Sequence, residues 1–230
     1  MREITIPESG AKRKLLDAAE ILFAIHGFDV VTVRDVSQRV GMNVASVNYH
    51  FGSRAGLLAT VILQYATPLH EQRLALLDTA ERKGLGKTTS IEAILEAYLS
   101  PVLLRIGSTE LPEENFYQLL GRIFADHGKA LPQPYRDSFQ SVNERFIRAF
   151  AKVLPGLALE DLAVRFHFIQ GALIHLLAHQ ATLLQGTKSP QTMGQSIERL
   201  VRFAATGLRE RLVVEDVVAV KDTPQAMFNF

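Results

Sequence analysis

The sequence predicts an all-α protein of about nine helices, in which a small N-terminal helix-turn-helix unit precedes a larger helical domain. Three observations predict it. Apolar residues recur at three- and four-residue spacing through nearly the whole chain, and no alternating strand pattern persists before the last twenty residues. Residues that helices avoid gather at 107–112, 128–134, Pro155-Gly156 and 186–190, dividing the chain into helix-sized segments. The composition, 47% hydrophobic and 21% charged with 15 Gly and 9 Pro, is that of an ordered globular chain, and 230 residues suffice for one large or two modest cores.

Taken in order, a first helix carries Leu15, Leu16, Ala19, Leu22 and Phe23 inward and ends at Gly27, which suits a left-handed position after a helix C-terminus. Lys12, Arg13 and Lys14 stand at its start, where the helix dipole disfavours cations; they suit an anionic partner or a solvated basic turn equally well. Thr32 caps a short helix over 33–40, with Asp35 completing a short-armed capping box. Gly41 breaks that helix, and Asn43 caps another that runs to about His50, which is helix-turn-helix spacing. A fourth helix starts after Ser53 and runs through Leu57, Leu58, Val61, Ile62 and Tyr65 towards Glu81, with a kink expected at Pro68. Further helices are predicted over 90–105, 113–127, 134–153, 159–185 and 191–211, and in the 212–230 tail Val213 to Val220 reads as a short strand or nothing. The expected domains are 1–53 and 54–211.

The third helix carries the strongest functional signal, because it combines small and hydrogen-bonding residues instead of a run of Lys and Glu. In a DNA major groove, Ala45 and Ser46 permit close approach, and Asn48 has the paired donor and acceptor that match the edge of adenine. Tyr49, His50 and Arg54 reach phosphate oxygens, while Val47 and Phe51 face inward. A formal net charge of only +1 requires that affinity come from a local patch and from duplication by dimerisation. The apolar face Ile197, Leu200, Val201, Ala204, Ala205 and Leu208, and a preceding helix apolar nearly all round, call for cover by a partner chain through 159–185 and 191–211. Two-fold pairing would set recognition helices about 34–36 Å apart, matching half-sites of a pseudo-palindromic operator one turn apart.

Over roughly 11–61 the chain resembles the TetR family, whose N-terminal signature joins a capped second helix to a recognition helix ending in an aromatic-aromatic-His-Phe run, then Gly-Ser-Lys and an apolar helix. The resemblance implies a homodimeric transcriptional regulator, a repressor released by a small molecule. It places Arg34 on the groove-facing side of the second helix and Thr32, Ser46, Tyr49 and His50 at positions of DNA contact. Two departures stand out: Asn48 replaces the first aromatic, and Arg54 replaces the Lys. The resemblance also implies a small-molecule pocket in the C-terminal domain, with Leu120 and the aromatic residues Phe116, Tyr117, Phe124, Phe139, Phe146, Phe150 and Phe168 as lining candidates, most of them plain core. His167, Gln170 and His175 are the polar groups that would fix the head of an acyl-like ligand. Arg165-Phe166-His167-Phe168 and Gly171-Ala172 resemble the fatty-acid-responsive, PsrA-like branch.

No cofactor or metal is expected. His175 and His179 lie one turn apart, with His167 two turns before His175, but histidines on apolar helices are more often core residues. The chain has no Cys, which excludes disulfides, thiolate metal sites and thiol catalysis. Neither a GxSxG elbow, a GxxxxGK[ST] loop nor a GxGxxG turn is present, so an enzyme is not expected. Residues 1–10 lack the apolar run of a secretory signal, and the 166–184 stretch is interrupted by His and Gln, so a cytoplasmic protein without a membrane span is expected. The competing reading is a helical ligand-binding or adaptor protein without DNA affinity.

Overall fold

A computed structural model describes residues 10–84, 89–104, 111–126, 135–179 and 192–210. Among these, nine α-helices are present and no strand: α1 Gly10–His26, α2 Val33–Arg39, α3 Val44–Phe51, α4 Arg54–Lys83, α5 Ile91–Leu99, α6 Glu113–Asp126, α7 Tyr135–Val153, α8 Leu159–Ala178 and α9 Met193–Arg209. The suggested strand at 213–220, the rest of the tail and the expected helix over 180–185 lie outside the described residues.

The capping residues act as their chemistry dictates. Thr32 Oγ1 accepts from the Asp35 amide at 3.2 Å while the Asp35 carboxylate accepts from the Thr32 amide at 2.8 Å. Asn43 and Ser53 cap α3 and α4 through the amides of Ala45 and Gly56, each at 3.0 Å. One expectation changes. The helix predicted over 90–105 stops as an α-helix at Leu99 and continues only as a 3-10 turn, Ser100–Leu103, because Pro101 has no amide to extend the ladder. The helix expected from Ser53 towards Glu81 is α4, one helix of 30 residues with Pro68 inside it.

The first turns of α4 pack on α1 and α3, and its later turns pack on α5 and α7, so one helix belongs to both halves of the molecule. Buried side chains form one continuous core from Leu15 and Phe23 on α1 to Val201 and Leu208 on α9. The crossing of α6 and α8 is close at Gly121, where an added Cβ would lie 3.3 Å from the Ala178 nitrogen. The α9 face expected to await a partner is instead covered within the chain: Ile197, Val201, Ala204, Ala205 and Leu208 are buried against α5 and α8. Amphipathicity shows that a face must be covered, but not by which chain. On these last two helices the large apolar groups left at the surface are Leu159, Val164 and Phe168 on α8 and Phe203 on α9, the last 76% exposed.

Candidate nucleic-acid interface and interior cavity

Buried Val36 on α2 and Val47 on α3 fix the two short helices against the core, and Gly41 turns the chain between them with φ of 66°. Anchoring Val47 inward leaves Ala45, Asn48 and Tyr49 exposed on the opposite side of α3, with Ser46 and His50 half-exposed beside them. Tyr49 is 85% exposed, far beyond what packing alone would leave for so large a side chain. Arg34 on α2 is exposed as well. Among the described residues, no side-chain hydrogen bond engages Arg34, Ser46, Asn48, Tyr49 or His50. Lys12 reaches across from α1 to within 5.9 Å of the Phe51 ring centre, which brings the basic start of α1 beside the end of α3.

Two of the expected contact residues have structural work. The Arg54 guanidinium turns inward: Nε donates to the Val31 carbonyl at 2.7 Å, and a terminal nitrogen donates to the Phe28 carbonyl. It therefore ties the start of α4 to the segment between α1 and α2, and the reach to phosphate expected of it is redirected. The Thr32 hydroxyl both accepts from the Asp35 amide and donates to the Asp35 carboxylate at 2.7 Å, bonds that hold that carboxyl below its ordinary range. A residue absent from the sequence reading also matters here. A Cβ on Gly56 would lie 2.1 Å from the Phe51 carbonyl oxygen, so the passage from α3 to α4 closes only on glycine.

Side chains also tie this unit to the rest of the chain. Glu20 on α1 is fully buried and accepts from the Tyr65 hydroxyl at 2.6 Å and the Gln64 amide at 2.9 Å, both on α4. Burial pushes its carboxyl up to about 7, against the opposing effect of the Tyr65 bond. From α6, Arg122 donates to the Ala24 and Ile25 carbonyls near the end of α1, at 2.9 and 3.1 Å. A guanidinium there satisfies carbonyls that the helix itself cannot.

Within the second domain, α4, α5, α6, α7 and α8 surround a cavity of about 620 Å³. Of the expected ligand residues, it takes in Phe124 and Gln170, and also Phe139. Phe116, Tyr117, Leu120 and Phe146 are core: Phe116 packs on Tyr65 and Tyr117, and Phe146 packs edge-on to Tyr98. His167 and His175 sit on the exposed side of α8 rather than in the cavity, as does Phe168. Because α8 is apolar nearly all round, periodicity alone does not tell its inner side from its outer side. His175 and His179 stack at 4.4 Å, and among the described residues no group of three or more His, Cys, Asp or Glu is arranged to hold a metal ion.

The cavity has polar walls that the sequence reading missed. The Gln170 amide donates to the Tyr98 hydroxyl at 2.8 Å and to Asn143 Oδ1 at 3.0 Å. Arg73 is 1% exposed and lies between the rings of Tyr98 and Phe124, 3.8 and 4.8 Å from their centres. One turn earlier His70 lines the same wall, with burial and the neighbouring Arg73 pushing its imidazole down to about 3. A signal for Arg73 existed: it interrupts the buried stripe Ile62, Ala66, Leu69 and Leu77 at core spacing.

The sequence model for bacterial regulatory proteins of the tetR family matches residues 15–61, and that for the tetracyclin repressor-like C-terminal domain matches 96–207. The chain is 39% identical over 59 residues to the HTH-type transcriptional repressor BdcR of Escherichia coli (strain K12), covering 26% of this chain and 30% of that one. It is 28% identical over 91 residues to the HTH-type transcriptional repressor KstR2 of Rhodococcus jostii (strain RHA1), covering 40% and 43%. The chain thus spans less than half the length of these two relatives. Its fold is similar to that of a TetR-like transcriptional regulator from Rhodococcus sp. RHA1, with a TM-score of 0.56 at 18% identity over 90% of this chain and all of that one.

Proposed function

Because the chain belongs to the TetR family of bacterial regulatory proteins, we propose that it acts as a homodimeric, sequence-specific transcriptional repressor released from its operator by a small apolar or acyl-type effector. The observation that carries the DNA-binding half is the outer side of α3, where Ala45, Asn48 and Tyr49 stand exposed on a helix whose other side is anchored by Val47. Ala45 and Ser46 admit the helix into a major groove, Asn48 reads an adenine edge, and Tyr49, His50, Arg34 and Lys12 contact phosphates. Arg54 and Thr32 serve as positioning residues that hold α3 and α4 in place.

The same proposal assigns 1–53 to DNA binding and 54–211 to effector binding and dimerisation. Pairing of two chains through the outer sides of α8 and α9 would cover Val164, Phe168 and Phe203, which otherwise leave large apolar groups in water. Effector and DNA communicate through α4 and α6. Phe124 lines the cavity two residues from Arg122, which grips the end of α1, while α4 carries Arg73 in its second half and abuts α3 near its start. A ligand that shifts α6 or α4 would change the orientation of α3, provided it binds the two arrangements with different affinity.

Selection of a preferred site from random duplexes tests the reading. A two-fold symmetric consensus, bound with an affinity that falls steeply as salt rises, is expected. A protein that enriches no sequence, or that enriches a single asymmetric half-site, would contradict it.

A further inference from the structure

Among the described residues, the effector cavity holds a cation without a counter-ion. Arg73 is almost wholly buried, and its only hydrogen bond among the described residues is from Nε to the Tyr98 carbonyl at 2.8 Å. Its Nη2 is buried with no hydrogen-bond partner. Among the described residues no carboxylate pairs with it: Asp137 and Glu144, which also line the cavity, are exposed, and Glu144 receives Gln140 and Arg148. A guanidinium is planar, always charged and shaped to hold a carboxylate through two parallel bonds. Leaving it buried and unpaired is strongly unfavourable, and the flanking Tyr98 and Phe124 rings relieve only part of that penalty.

The same interior supplies what an amphipathic acid needs. Phe139, Ile147, Leu173 and Ile174 give it apolar walls, and the volume of about 620 Å³ lies within the range of small-molecule sites. On α4, His70 precedes Arg73 by three residues and so shares its side of the helix, which places an imidazole donor next to the guanidinium. We propose that the effector is an amphipathic carboxylate, its apolar body held between α7 and α8 and its carboxylate paired with Arg73. This rests on the effector-binding reading above and narrows it to a charge class. The ligand supplies the counter-ion that the described residues lack, so an isosteric neutral molecule fills the space but leaves Arg73 unpaired.

Decanoate and decanamide, which share a chain and differ in charge, test this on the full-length protein by thermal shift and calorimetry, alongside Arg73→Met, Arg73→Gln and Arg73→Lys. Wild type should prefer the acid by about tenfold or more, the scale of one charge-assisted hydrogen bond. Arg73→Lys should retain part of that preference, and Arg73→Gln should abolish it. Arg73→Met should melt at or above the wild-type temperature without ligand, since it removes an unpaired buried charge. Equal binding of acid and amide overturns the carboxylate assignment while leaving the effector cavity intact. No response to either compound, with Arg73→Met melting well below wild type, makes Arg73 a packing residue and overturns the assignment together with its acyl-type premise.

Discussion

The outer side of α3 and the wall of the cavity under α4 both present hydrogen-bonding groups that no other part of the described chain engages, but in opposite surroundings. Asn48 and Tyr49 stand in water, where solvent satisfies them at no cost to the fold. Arg73 stands in the interior, where nothing replaces a missing partner. Exposure therefore identifies a possible contact surface only when shape and chemistry add to it, as they do on a short helix of groove width. Burial without a partner is a sharper signal, because the folded chain bears the penalty until something binds. Arg165 makes the contrast plain. It is also buried, and its Nη2 likewise has no hydrogen-bond partner, yet that nitrogen is ion-paired with the Asp161 carboxylate at 3.0 Å, and Nη1 donates to the Gly207, Leu208 and Glu210 carbonyls at 2.8, 3.3 and 2.5 Å.

The largest effect expected belongs to the passage that aims α3. Gly56→Ala drives a Cβ into the Phe51 carbonyl and should destabilise the protein by about 3 kcal/mol or more, with DNA binding lost at every salt concentration. Retention of operator binding by a stable Gly56→Ala protein would show that the α3 side does not depend on this junction. Next, Arg165→Met should lower stability by about 2–3 kcal/mol, because it leaves Asp161 and the end of α9 without their donor. The matching change at Arg73 should not lower it. If both arginines respond alike in denaturant titrations, the distinction between satisfied and unsatisfied burial fails.

A smaller, pH-dependent effect is expected where the two regions join. The Glu20 carboxyl titrates at about 7 in the folded chain against an ordinary 4.5, so the folded state holds its proton more tightly than the unfolded one. Its contribution is fully present below 4.5 and is lost as pH rises through about 7, giving a stability that falls across that window by on the order of 2 kcal/mol. Glu20→Gln keeps a neutral acceptor for Tyr65 and Gln64 and should flatten this slope. Thermal unfolding followed from pH 4.5 to 8 checks it, and an unchanged slope in the variant would place the titrating group elsewhere.

Local chemistry was legible in the sequence where one residue determines one bond. Thr32, Asn43 and Ser53 each cap the helix that the pattern assigned to them, and Val47 faces inward with Asn48 and Tyr49 outward. Legibility failed where several helices meet. The cavity draws on five helices, so no spacing within one of them announces it, and only Phe124, Phe139 and Gln170 of the expected ligand residues reach it. The bonds of Arg54 were hidden for a similar reason: the carbonyls of Phe28 and Val31 that it holds lie more than twenty residues earlier. The interruption of an apolar stripe by Arg73 was visible in the sequence, and its meaning depended on finding no carboxylate nearby.

In the proposed complex, α3 reads bases through Asn48 and grips the backbone through Tyr49. Competition between single-base variants of the selected site, run with Asn48→Ala and Tyr49→Ala proteins, tests it most directly. Asn48→Ala should relax preference at one base pair and its symmetry mate, a loss of about 1 kcal/mol there, while Tyr49→Ala weakens every site equally. Equal, sequence-independent losses from both substitutions would contradict the account.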